Sequence, residues 1–237
     1  MIGEGFPSPS TLIDNEIDTL KFFRDNAILW QYYNNFARDC EELYSKALSK
    51  RSTFEFESYL EILVDHRVGR VYVGARIIPT SNMRSYEDIS YHFAVCENQI
   101  NRNSLLKKLH FDFSDPTRSY KQPHPVFHFQ HPGELTPALS KNGYDIGHLS
   151  PWLSEPRLPY YPMTLALLVN CILREFPDSI SQDLIERDEW RGIIKKDEEL
   201  VLAPYYKQCS DFIKKRQDNV YKGIKFLLTN DFYYGKY

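Results

Sequence analysis

The chain is short of cysteine, of long apolar runs and of basic charge, and each shortage removes a class of protein. Its four cysteines, Cys40, Cys96, Cys171 and Cys209, are scattered and form no CxxC pair. That spacing argues against a thiolate zinc cluster and against the disulfide framework of small secreted domains. It predicts buried free thiols in a reducing compartment. The longest apolar run, Met163–Leu173, falls short of the roughly 20 residues that cross a bilayer and reads as a buried helix. The opening MIGEGFPSPSTLIDNEIDTL has no basic segment followed by an apolar one, so no secretory signal is expected. A cytoplasmic location away from membranes follows as an expectation. The formal net charge is −3, without the Lys/Arg excess that general electrostatic binding to nucleic acid uses. The ten glycines are scattered, and neither a P-loop, a GxGxxG turn nor a GxSxG elbow is present. No cofactor is expected.

Aromatic residues, by contrast, are plentiful, with 17 Tyr and 15 Phe. Tyrosine buries a ring while keeping a wet hydroxyl, which suits a contact surface. A chain of 237 residues, 42% of them hydrophobic, can bury a sizeable core.

The periodicity divides the chain. Residues 1–10 hold two Gly and two Pro and read as an irregular arm. Residues 11–50 carry a helical pattern through Ile13, Ile17, Leu20 and Phe23, with Thr11 or Asp14 as candidate caps and a candidate break at Asp25-Asn26. The period then falls to two. In STFEFESYLEILVD the apolar Phe54, Phe56, Leu60, Ile62 and Val64 alternate with Glu55, Glu57 and Glu61. HRVG reads as a turn. Further strands follow at RVYVGARII, YEDISYHFAVC, KLHFDF and VFHFQ. No long helical crossover separates them, which predicts an antiparallel meander over 53–131. Residues 132–162 read as a loop. Residues 163–229 read as helical: PMTLALLVNCILREFP with Pro162 in its first turn, then DSISQDLIERDEW capped by Asp178 or Ser179, then a helix from about Pro204 to Thr229. The fold expected for 1–237 is one α+β domain, an antiparallel sheet of about five strands covered on one face by N- and C-terminal helices.

KQPHPVFHFQHPGE, Lys121–Glu134, holds three of the seven histidines. On an extended strand His128 and Gln130 oppose Phe127 and Phe129, while His124 and His131 do not converge with them. Two prolines oppose a helix, so the segment is not an HExxH-type metal site. No metal is expected. Parity links this strand to two others. His92 opposes Tyr91 and Phe93, and His110 and Asp112 oppose Leu109, Phe111 and Phe113. His92, His110 and His128 are therefore expected on one wet sheet face, close enough across strands to form a pocket with Asp112 and Glu61. As an enzyme, the chain would use His92, His110, Asp112 and His128. As a binding protein, it would use His128, Gln130 and Arg157. The acidic row Glu55, Glu57, Glu61 and Asp65 lacks the accompanying lysine of a metal-dependent nuclease. Near the C-terminus, Lys214, Lys215 and Arg216 form a basic strip beside an apolar one, a candidate nucleic-acid contact.

HPVFHFQHPG followed by SEPRLPYYPMTLALLVNCILREF loosely resembles a group of uncharacterised bacterial proteins. In these a Phe/His-rich strand precedes a Pro-Arg-x-Pro loop and a hydrophobic helix. The matching positions are Phe127, His128 and Phe129, then Pro156, Arg157 and Pro159, then Met163 to Phe176. Such genes sit in mobile or defence-related clusters, so the resemblance implies an accessory role in a bacterial multi-component system. The leading expectation is a non-enzymatic adaptor or recognition subunit with a protein partner, which includes a second copy of the chain. The alternatives are a small hydrolase or nuclease using the His/Asp/Glu sheet face, and a nucleic-acid-binding accessory subunit acting through the basic helix.

Overall fold

The computed structural model describes residues 6–26, 34–49, 52–64, 67–99, 102–113, 126–130, 158–176 and 179–215. Helix α1, Pro9–Asp25, starts two residues before the sequence pattern suggests. Ser8 is the cap in place of Thr11 or Asp14: its side chain accepts from Thr11 N, and Pro9 fills the first turn, where a missing N–H costs nothing. Asn26 closes the helix at the expected break. Helix α2, Asn34–Ser49, sends Cys40 into the core.

The sheet has five long or medium strands, β1 Phe54–Val64, β2 Arg67–Pro79, β3 Tyr86–Gln99, β4 Arg102–Phe113 and β5 Phe127–Gln130, and a two-residue β6, Leu158–Pro159. They pair antiparallel in sequence order, as a meander must. Two expectations are corrected here. HRVG is not a four-residue turn, because Arg67, Val68 and Gly69 already belong to β2 and pair with β1. Part of the expected 132–162 loop is strand β6, which pairs with His128 and Phe129.

Phe54, Phe56, Leu60, Val71, Val73, Ala75, Ile77, Ile89, Tyr91, Phe93, Phe111 and Phe113 line one buried face. The one polar position in β1's inward row, Ser58, donates to Asp39 Oδ2 of α2 at 2.7 Å. Helices cover this face. α1 and α3, Leu165–Glu175, pack on β2 and β3, and α2 packs on β1. Thr164 caps α3 by accepting from Leu167 N, so Pro162 precedes the helix instead of entering its first turn. Leu165, Leu168, Val169, Ile172 and Leu173 are buried, each stabilising the fold by about 1.5–3 kcal/mol.

DSISQDLIERDEW is two helices, not one. α4, Ser179–Ile185, ends before Arg187, and α5, Asp188–Asp197, begins a new turn that packs Trp190 against both Phe22 and Phe23. A π-helical turn at Glu198–Leu202 joins α5 to α6, Ala203–Lys215. The continuation expected to Thr229 lies outside the described residues beyond Lys215, as does the candidate cap Asp178. The four cysteines are free; Cys40 and Cys96 are buried as expected, but Cys171 is exposed on the outer side of α3 and Cys209 is only partly buried. No described helix is long and apolar enough to cross a membrane.

Candidate functional site

The register places the predicted histidines where parity puts them. On the sheet face opposite the helices, the cross-strand partners run Glu57–Gly74–His92–His110–Gln130. Beside this row run Glu55–Arg76–Ser90–Asp112–His128, and on its other side Tyr59–Tyr72–Ala94–Lys108. Each row exists because side chains alternate faces and partners align across strands.

The expectation of a wet face is corrected. His128 is 3% exposed and Lys108 is 0% exposed. Tyr72, Ala94 and Cys96 form a second small apolar cluster with Tyr59 packed against it. Among the described residues this face is most open at Glu55 and Arg76, and in part at Glu57 and at Asp88 of β3. There Arg76 Nε lies 3.6 Å from Glu55 and 3.5 Å from Asp88.

Gly74 shapes the central row. A Cβ built on it would stand 2.1 Å from His92 Cε1 and 2.3 Å from His92 Nε2. The His92 ring therefore leans back over the bare backbone of β2. It brings Nε2 to 4.0 Å from Glu57 Oε1, too far for a direct hydrogen bond. On its other side the His110 ring stacks at 5.4 Å between centroids, tilted by 26°. Burial first, and then the Lys108 charge, hold His92 down at about 4. The same two causes, with His92 added, push His110 lower still. Both imidazoles are neutral at pH 7, each with one ring nitrogen able to donate and one able to accept.

Four side-chain atoms of this row, Glu57 Oε1, His92 Nε2, His110 Nε2 and Gln130 Oε1, are buried and make no hydrogen bond among the described residues. Buried polar atoms are nearly always paired, so an exception at each of the row's four polar side chains calls for a physical reason. Leaving such a group unmatched costs about 1–3 kcal/mol.

The neighbouring row is more self-contained. Ser90 Oγ donates to Asp112 Oδ1 at 2.6 Å. Asp112 thus holds the serine hydroxyl directly; in a nucleophilic triad the serine would face an imidazole and the carboxylate would sit behind it. Among the described residues no three His, Cys, Asp or Glu side chains form a metal-ligand group.

Glu61, expected beside the histidines, pairs with Arg70, two rows away from the Glu57–His92 row. Arg157, Arg216, Asp65, His124 and His131 lie outside the described residues. Lys214 is exposed on α6. The sequence reading missed Glu57 as a neighbour of His92, missed Gly74 and Lys108, and missed a second polar cluster inside the helical layer. There Glu16 of α1 accepts from Tyr91 Oη at 2.7 Å and from Leu165 N at 3.1 Å. Asp197 of α5 accepts from Asn15 Nδ2 at 2.8 Å and from Thr164 Oγ1. Glu16 stands in the stripe of Leu12, Ile13, Ile17 and Leu20, and a charge inside an apolar stripe is the signal that would have found it.

No protein-family model, curated protein or solved structure matches the chain.

Proposed function

We propose that the protein is a non-enzymatic recognition subunit that binds a protein partner through the sheet face carrying Glu57, His92, His110 and Gln130. The observation that carries this reading is the row of four buried polar atoms without hydrogen bonds among the described residues. A partner reaching the row from its part-exposed end at Glu57, over the open charged rim of Glu55 and Arg76, would supply donors and acceptors that relieve the desolvation it carries. Two features favour binding over catalysis. The imidazoles titrate far below neutrality, where a general base is weak. Ser90, the hydroxyl nearest the histidine row in the register, is committed to Asp112. The resemblance in sequence supports a setting in a bacterial multi-component system, including anti-phage defence.

The test compares the tagged full chain with its Glu57→Ala/Gln130→Ala variant, both expressed in the native host. A partner retained by the wild type and lost by the equally stable variant supports the reading. Equal recovery of every co-purifying protein would exclude this face, and turnover of a hydrolytic substrate that depends on His92 or His110 would replace binding with catalysis.

A further inference from the structure

The second buried polar cluster ties three helices together at one point. Consecutive residues of α1, Asn15 and Glu16, meet the cap and first residue of α3, Thr164 and Leu165, with Asp197 of α5 closing the group. Glu16, Asp197 and Thr164 are fully buried. Two carboxyl groups in one dry site do not both ionise freely, because the second charge lacks water and meets the field of the first. We infer that the Glu16–Asp197 pair is a pH-sensitive latch, holding the start of α3 against α1 and α5 while Glu16 keeps its proton and loosening it when that proton leaves to solvent.

The groups facing Glu16 come from every element around it. Strand β3 supplies Tyr91, whose hydroxyl donates to Glu16, and Tyr86, whose hydroxyl is engaged by Pro7 O at 2.8 Å. Helix α5 supplies Asp197 and Lys196, the latter drawn outward to Asp18 of α1 at 2.9 Å. Helix α3 presents only the backbone N–H of Leu165, at its positive end. Burial, followed by the Asp197 charge, raises Glu16; Tyr91, Leu165 N–H and Lys196 oppose this, and the balance stands at about 8. Asp197 is raised too, by burial, while the Thr164 and Asn15 donors and then the Lys196 charge oppose the shift. The latch has a mechanical outlet. Strand β6 ends five residues before Thr164 and pairs with His128, and Tyr160 N donates to Phe127 O at 3.1 Å. Loosening Thr164 and Leu165 therefore frees the segment that borders the second sheet face. The latch stands whatever that face recognises.

Carboxyl-¹³C NMR on the full chain, with amide exchange read at Leu165 and Leu167, tests this. The glutamate signal absent from Glu16→Gln should titrate with a midpoint near 8 in the wild type. Exchange at both amides, corrected for its intrinsic pH dependence, should speed up at least about tenfold as pH rises from 4.5 to about 8, level off above that, and stay slow in Glu16→Gln, which mimics the protonated acid. Asp197→Asn should move the midpoint down. A Glu16 midpoint below about 6, or helix-start protection unchanged to about pH 9.5, would overturn the latch. Should Glu16→Gln fail to fold, backbone correlation assigns the wild-type signal and its titration decides.

Discussion

Replacing Gly74 by alanine probes the central row at its tightest point. The strand backbone at Gly74 is one an L residue can adopt, so space alone decides the outcome. The new methyl would lie 2.1 Å from His92 Cε1 and 3.0 Å from Nδ1. Ordinary contact between such atoms is about 3.5 Å, so the ring must retreat by roughly 1.5 Å. The stacked His110 ring stands in its way at 5.4 Å. Overpacking of this kind costs about 1–3 kcal/mol. Loss of glycine's freedom in the unfolded chain returns at most about 1 kcal/mol. The net expectation is a loss of about 1–2 kcal/mol in urea unfolding. In a His92→Ala background the obstacle is gone, and the same Gly74→Ala change should be neutral or stabilising by up to about 1 kcal/mol. The cycle should therefore show a coupling of about 2 kcal/mol between the two positions. A Gly74→Ala effect that is the same in both backgrounds would refute the close approach and, with it, the account of why His92 leans toward Glu57.

Helix α3 separates two adjacent leucines. Leu168 is fully buried and Leu167 only partly so; Leu168→Ala should cost about 2–5 kcal/mol and Leu167→Ala clearly less, and equal losses in denaturant titration would contradict the helix's orientation. The histidine pair adds an acid limb to stability. An unfolded histidine takes up its proton near 6.5, whereas folded His92 waits until about 4. Between those values the unfolded chain binds more protons, so this contribution is complete above 6.5 and lost as pH falls toward 4. Removing both groups in His92→Gln/His110→Gln should flatten that limb in thermal melts, and an unchanged limb would show that the rings are not desolvated. Glu16 acts with the opposite sign: its folded form holds the proton longer, so stability falls as pH rises from 4.5 to about 8, and Glu16→Gln should remove that alkaline loss.

Much of the sheet was readable because its apolar residues alternate. Phe54, Phe56, Ile89, Tyr91, Phe93, Phe111 and Phe113 mark one face without any help from tertiary structure. The strand ends were not readable. Asn98 and Gln99 pair with Asn103 and Arg102 through their backbones, and backbone pairing leaves no hydrophobic pattern. Strand β6 is too short to show a period and contains Pro159. The shared face of His92, His110 and His128 followed from parity, since each stands next to a phenylalanine. Which residues meet within that face depends on register between strands: Glu57 reaches His92 only because Gly74 pairs with both of them. The burial of Lys108 and the apolar Tyr72–Ala94–Cys96 cluster depend in the same way on three strands at once. Asp197 was hidden by the helix break at Arg187, which puts it at the end of a helix not expected there.

The central claim is that the Glu57–Gln130 row is a contact surface, and ¹⁵N NMR of the imidazole nitrogens tests it most directly. With the co-purified partner added to the full chain at equimolar ratio, the Nε2 signals of both His92 and His110 should shift on forming new hydrogen bonds. The Glu57→Ala/Gln130→Ala variant should bind more weakly under the same conditions. A tight complex that leaves both Nε2 signals where they stand in the free protein, and that forms equally well with the variant, would contradict the account.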